Sequence, residues 1–251
     1  MRSTKMSNPI LNIITAVSRE VNLYYIQDEL SKINSLDIRW YLVFDKTCMI
    51  STKIPQDLNY YHAEISNNDR NDSSGSIQKN IALSQIQEGW IYCLDDDNIL
   101  HPNFPSCFNM AIKKFPDKKA FVFSQTNYAN QIIISGKEAK KTVCGLPFEN
   151  WAIDAGGYVV HSDIVKKYNA RYKEYVHESD RYFWKCLVDN CPEQIEFFDE
   201  IAAYHNALRY ENHIEGCMAQ TPYDPETKNM LFHSKNGKRP NYQFYHLPKC
   251  N

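Results

Sequence analysis

Ile10-Leu11-Asn12-Ile13-Ile14-Thr15-Ala16-Val17 is an apolar run of strand length that gives way to the polar pair Ser18-Arg19. From Asn22 the apolar residues Leu23, Ile26, Leu30 and Ile33 recur at helical spacing, and Ile38 to Phe44 is strand-like again, closing on Asp45. Two buried strands joined by a helix must run parallel, because the crossover returns the chain to the end it left. The opening of the chain therefore predicts an α/β fold around a mostly parallel sheet.

The pattern continues. A third strand is expected near Tyr60 to Ile65, and the polar stretch Asn67 to Ser76 reads as a loop. Ser76 is expected to cap a helix that carries Ile77, Ile81 and Ile86 on one stripe. Trp90-Ile91-Tyr92-Cys93-Leu94 then reads as a buried strand running into Asp95-Asp96-Asp97-Asn98. Beyond Pro105 the spacing predicts a helix over 106–115, a strand over 120–124 and a hairpin opening over 131–135. A helix through Phe183, Leu187 and Val188 follows His177-Glu178-Ser179-Asp180, and Ile195 to Tyr204 is the last expected strand, closing on His205.

Two divisions follow from this reading. Residues 1–209 are expected to form one α/β domain, with one half over about 8–125 and another over about 126–209. Residues 210–251 are an irregular C-terminal extension, too aromatic at Tyr223, Phe232, Tyr242, Phe244 and Tyr245 to be a solvating tail, and are expected to pack on the domain or on a partner.

Charge narrows the function. Lys and Arg total 28 against 30 Asp and Glu, a formal net charge of -2, so the basic footprint of a nucleic-acid binder is missing. No stretch approaches the roughly 18 apolar residues of a membrane helix, and Met1-Arg2-Ser3-Thr4-Lys5 lacks the apolar core of a secretory signal. The expected compartment is cytoplasmic. The eight cysteines form no CxxC pair and read as reduced and structural.

Three consecutive aspartates at the end of a buried strand call for a positive partner, because an ionised carboxylate removed from water is costly unless paired. In an extended backbone Asp95 and Asp97 would point one way and Asp96 the other, giving a pair able to hold a divalent ion. Oxygen-only ligands favour Mg²⁺ or Mn²⁺. Ligands of open α/β sheets bind beyond the carboxyl ends of the strands, where Thr15 to Arg19, Asp45 and the aspartates would converge.

The motif Asp95-Asp96-Asp97-Asn98 after Trp90 to Leu94 resembles the DxD motif of nucleotide-sugar glycosyltransferases with the GT-A fold, and its DDDN form looks most like family 43, the inverting β-glucuronyltransferases. Further similarities follow in the same order along residues 8–209. Gln78-Lys79-Asn80-Ile81-Ala82-Leu83 is similar to that family's Q-R-N-x-A-L. Ile153-Asp154-Ala155-Gly156-Gly157-Tyr158-Val159-Val160 is similar to I-D-M-A-G-F-A-V, Glu178-Ser179-Asp180 to E-S-S, and Tyr204-His205 to W-H.

The resemblance implies a metal-dependent inverting transferase that moves a sugar from a UDP-sugar to a saccharide or glycoconjugate acceptor. By it, Asp97 with Asp95 holds Mn²⁺ or Mg²⁺, while Asp95 and Asp96 contact the ribose or donor sugar or support the metal through water. Glu178 is the base, with Asp180 competing for the role or capping the helix instead. His205 meets the diphosphate or the metal. The family's H-T-R is not reproduced after His205, so Lys79 or Arg209 would take the phosphate contact. Thr15 lies at the donor end of the first strand, Arg19 and Asp45 would read uracil and ribose, and Arg70 the pyrophosphate or base. Asp154 would hydrogen-bond sugar hydroxyls, with Trp151, Gly156 and Gly157 on the acceptor side.

Two other readings stand beside this one: a sugar nucleotidyltransferase, which would want a Gly-rich basic loop that Ala16-Val17-Ser18-Arg19-Glu20 does not supply, and a non-catalytic metal- or sugar-binding module. Family 43 proteins are usually membrane-anchored, so a chain opening at Met1 without an anchor is expected to be a soluble relative. Peripheral contact with a membrane-borne acceptor and a homodimer both stay open.

Overall fold

The computed structural model describes residues 8–18, 22–44, 60–62, 75–126, 132–134, 153–176 and 179–204. Among these residues nine strands form one sheet: β1 (Ile10–Val17), β2 (Asp37–Phe44), β3 (Tyr60–His62), β4 (Trp90–Cys93), β5 (Ile99–Leu100), β6 (Ala120–Thr126), β7 (Ile132–Ile134), β8 (Tyr158–His161) and β9 (Ile195–Tyr204). Their order is β3-β2-β1-β4-β8-β6-β9-β5, with β7 against β6. The pairings among β1, β2, β3 and β4 are parallel. Beyond β4 the sheet is mixed: β8 is antiparallel to β4 and β6, β9 parallel to β6, and β5 antiparallel to β9. The α/β architecture with a mostly parallel sheet stands as expected.

Among the described residues five α-helices accompany this sheet: α1 (Leu23–Ser31), α2 (Ser76–Gln85), α3 (Phe104–Lys114), α4 (Ser162–Lys167) and α5 (Ser179–Asn190). β1 and β4 are buried along almost their whole length, which is why they read as unbroken apolar runs. Trp90 packs edge-on to Phe108 of α3 at 5.4 Å and beside Phe121 of β6 at 5.3 Å. On the α5 side, Tyr158 stacks on Trp184 at 5.0 Å and Tyr172 on Phe183 at 4.5 Å. Each such ring buried is worth about 2–3 kcal/mol of apolar transfer, and this packing fixes α5 against Tyr158 of β8 and against Tyr172.

Several expectations change. α2 does not bury the Ile77 and Ile81 stripe; its buried face carries Ser76, Gln78, Lys79, Ala82 and Leu83, with Ile86 buried just past its end. Ser76 is the first helical residue, and Gly75 occupies the cap in a left-handed conformation with φ of 65°. α3 opens at Phe104, with Pro105 inside its first turn where a missing N–H is harmless. The aspartates are not extended: a turn closed by Asn98 N donating to Asp95 O at 3.0 Å leads directly into β5, which the sequence did not announce. The alternation argued for Asp95, Asp96 and Asp97 therefore does not apply. The short α4 was also unforeseen; the His161 side chain caps it by accepting from Asp163 N at 3.3 Å.

Among the described cysteines, Cys93, Cys186 and Cys191 are free thiols. Among the described residues no helix is long and apolar enough to cross a membrane.

Candidate active site

Thr15 builds the floor of the crevice rather than reaching into it. It is fully buried; its hydroxyl donates to Leu94 O at 2.8 Å and accepts from Trp40 Nε1 at 2.9 Å. With both capacities used inside the sheet, Thr15 ties β1 and β2 to the segment feeding the aspartates, which corrects its expected place at the donor.

Asp96 is similarly turned inward, 2% exposed. Its Oδ2 accepts from Ser18 N at 2.6 Å and Ser18 Oγ at 3.0 Å, while Asn22 Nδ2 donates to Asp96 O at 2.8 Å. A carboxylate engaged by two donors from the end of β1 cross-links that loop to the aspartate turn. Of the two roles expected of it, support fits this geometry and direct contact with sugar does not.

Lys79 lies on the buried face of α2 with only 2% of its side chain exposed. Its ammonium reaches Asp180 Oδ1 at 3.2 Å and Asp95 Oδ1 at 3.5 Å, and sits 5.2 Å from the centre of the Tyr172 ring. Burial pulls the ammonium's pKa down, but Asp180 and Asp95 outweigh it and hold it well above the ordinary value. Lys79 thus serves as an internal counter-ion, and the expected contact with donor phosphate is displaced by two carboxylates.

Asp180 stands in the first turn of α5, where a helix N-terminus favours negative charge. Its Oδ2 also accepts from Ala155 N at 3.4 Å. Burial raises its pKa and Lys79 opposes, while Asp154 and Asp95 push it further up, to about 6. Beneath this group, Tyr172 OH contacts Cys93 Sγ at 3.0 Å and Tyr158 OH at 3.2 Å. Burial drives the Cys93 thiol up to about 12, so it stays protonated beside the acids.

Asp154 caps the 3-10 turn Ala155–Gly157. Its Oδ1 accepts from Gly156 N at 2.9 Å and from Gln125 Nε2 at 3.1 Å. Gly156 and Gly157 are buried and press on protein: a Cβ at Gly156 would lie 2.2 Å from Gln125 Nε2, and one at Gly157 3.5 Å from Phe123 O. Gly156 O accepts from Tyr92 OH at 2.8 Å. Gly156 permits close packing on Gln125 of β6, and both glycines are buried within the protein, which corrects the acceptor contact expected of them.

Asp95 is about one-third exposed and Asp97 8% exposed, at the mouth of the β4–β5 turn. Among the described residues no three Asp, Glu, His or Cys side chains converge as a closed metal cage. The oxygen-only pair fits an ion that takes one or two carboxylates from protein and the rest from water and phosphate, as Mg²⁺ and Mn²⁺ do. Arg19, Asp45, Arg70, Trp151, Glu178 and His205 lie outside the described residues. Sequence reading missed Gln125, Tyr172 and the Ser18 and Asn22 contacts to Asp96; none carries a motif, and only a polar residue inside an apolar strand marked Gln125.

No family model matches the sequence, and no curated protein aligns with it. Solved structures do. S. aureus TarS 1-349 in complex with UDP-GlcNAc is similar at 12% identity and TM-score 0.57, over 78% of this chain and 58% of that one. The same fragment in complex with UDP gives 12% and 0.56, over 77% and 59%, and S. aureus TarS gives 13% and 0.56, over 77% and 36%. The chain thus spans less than two thirds of these proteins, and at such identities the likeness is one of fold: this is a GT-A sheet.

Proposed function

We propose that the protein is a metal-dependent inverting glycosyltransferase that moves a sugar from a UDP-sugar to a hydroxyl of a saccharide or glycoconjugate. The observation that carries this reading is the bridge made by Lys79, which gathers Asp95 from the turn after β4 and Asp180 from the start of α5 around one buried cation. A donor-side acid just beyond the carboxyl end of β4 and an acceptor-side acid then meet at one cation, and the carboxyl ends of parallel strands are the usual ligand position of such sheets. The similarity to TarS bound to UDP-GlcNAc and to UDP supports the donor class.

In this reading Asp97 and Asp95 hold Mn²⁺ or Mg²⁺, which supplies charge neutralisation for the departing diphosphate. Asp180 takes the proton from the acceptor hydroxyl as its oxygen forms the new bond to the anomeric carbon and the bond to UDP breaks. A carboxylate with a pKa near 6 is well matched to that role, strong enough as a base and still ionised at neutral pH. Attack opposite the leaving group inverts the anomeric centre. Asp96 and Thr15 hold the floor, and Asp154 meets a sugar hydroxyl. Glu178, the acid two residues before Asp180, is compared directly in the test.

The test is release of free UDP from a panel of UDP-sugars with Mn²⁺, together with UDP affinity with and without the metal. Transfer should fail in Asp180→Asn while metal-dependent UDP binding persists. Retained turnover in Asp180→Asn with loss in Glu178→Gln moves the base to Glu178. Metal binding without any UDP affinity supports a binding module and ends the transferase reading.

A further inference from the structure

Gln125 is fully buried near the end of β6, at a break in the strand's register. Pairing slips between Ser124 and Gln125 on the β9 side and between Gln125 and Thr126 on the β7 side. Such irregularities re-aim a side chain. Here the amide Nε2 is aimed at Asp154 Oδ1, 3.1 Å away. The amide cannot turn round, since its oxygen would then face a carboxylate. Its Oε1 is left buried with no hydrogen-bond partner.

A buried amide satisfied at one end only is a poor choice for stability, because an apolar side chain of the same length would leave nothing unpaired. Gly156 deepens the point. Its Cβ would lie 2.2 Å from Gln125 Nε2 and 3.2 Å from Asp154 Oδ1, so the amide reaches Asp154 only because glycine stands there. Gln125 and Gly156 N together fix Oδ1, and the hydrogen bonds of Asp154 with the described residues all fall on that oxygen and none on Oδ2.

We propose that Gln125 is a positioning residue for sugar recognition: it locks the Asp154 carboxylate so that Oδ2 accepts from one hydroxyl of the donor sugar. This rests on the transferase reading of the site. It acts through Asp154 and touches no reacting atom.

The test uses the full chain carrying Gln125→Met, Asp154→Asn or both, with UDP-GlcNAc and UDP-glucose as probes in the presence of Mn²⁺. Gln125→Met should raise KM for the better probe about 10-fold, the loss of one oriented hydrogen bond. UDP affinity should stay within about 2-fold and Tm should be within about 2 °C of wild type or higher. In the Asp154→Asn background the substitution should add nothing further to KM. An unchanged KM in Gln125→Met, or an equal loss in both backgrounds, overturns the proposal while leaving the transferase reading intact. If Gln125→Met does not fold, Gln125→Glu, which keeps the shape and removes the N–H facing Asp154, gives the same KM test. A wild type that binds UDP but turns over neither probe is tested on the affinity difference between UDP-sugar and UDP. A wild type that binds neither ends both readings together.

Discussion

Lys79 and Asp180 stand 101 residues apart in the chain, yet Nζ of one donates to Oδ1 of the other across 3.2 Å, with the lysine sealed from solvent. One cation thereby links α2 to the first turn of α5.

Removing that cation exposes its importance. Lys79→Met should destabilise the fold by about 3 kcal/mol, the low end for a broken buried ion pair, since Asp95 and Asp180 keep some contact with water. Urea denaturation reads the change, and stability restored by adding Asp180→Asn to Lys79→Met would show that the carboxylate left behind causes it. An unaltered midpoint in Lys79→Met contradicts the role of internal counter-ion.

The rate should depend on pH through Asp180. Burial raises this carboxyl to about 6, and only its ionised form accepts a proton, so kcat/KM should climb as pH rises through about 6 and level off above it. Because the folded pKa exceeds the unfolded one, its contribution to stability has the opposite trend: full below about 4 and lost as pH rises through about 6. A pH–rate profile flat from 5 to 8 on the order of these limits would remove Asp180 as the base.

Asp97→Ala should abolish the Mn²⁺ dependence of UDP affinity, since it removes a carboxylate ligand to the ion. Calorimetric titration of UDP with and without Mn²⁺ checks this. The same metal enhancement in variant and wild type would place the ion elsewhere.

Gly75 holds the start of α2 at a φ of 65°, and a Cβ there would lie 2.6 Å from the Cβ of Ala16 in β1. Gly75→Ala should cost about 1–2 kcal/mol from the backbone alone, with the contact adding to it. Lys79 N bonds back to Gly75 O at 2.9 Å, so thermal unfolding and transfer rate should fall together. A variant as stable as wild type would mean that α2 shifts freely on β1.

Much of the frame was legible along the chain. β1, β2 and β4 fell where apolar runs placed them, because a strand buried on both faces leaves an unbroken signature. The α2 stripe misled because Ile77 and Ile81 suggested the wrong face; Lys79 and Gln78 went inside, where Asp95 and Asp180 give the lysine something to pair with. Asp95, Asp96 and Asp97 were found by composition and position, whereas the part-exposure of Asp95 and the inward clamp of Asp96 came from a turn that no periodicity encodes.

By itself the sequence determined the α/β class and the place where acids gather, because hydrophobic spacing and the rule for parallel crossovers are local properties of the chain. Only the tertiary structure decided which polar groups meet: Lys79 with Asp95 and Asp180, Ser18 with Asp96, Gln125 with Asp154. Those partners come from segments far apart in the sequence, and the cost of burying a polar group, which depends on its surroundings rather than its neighbours in the chain, selects among them.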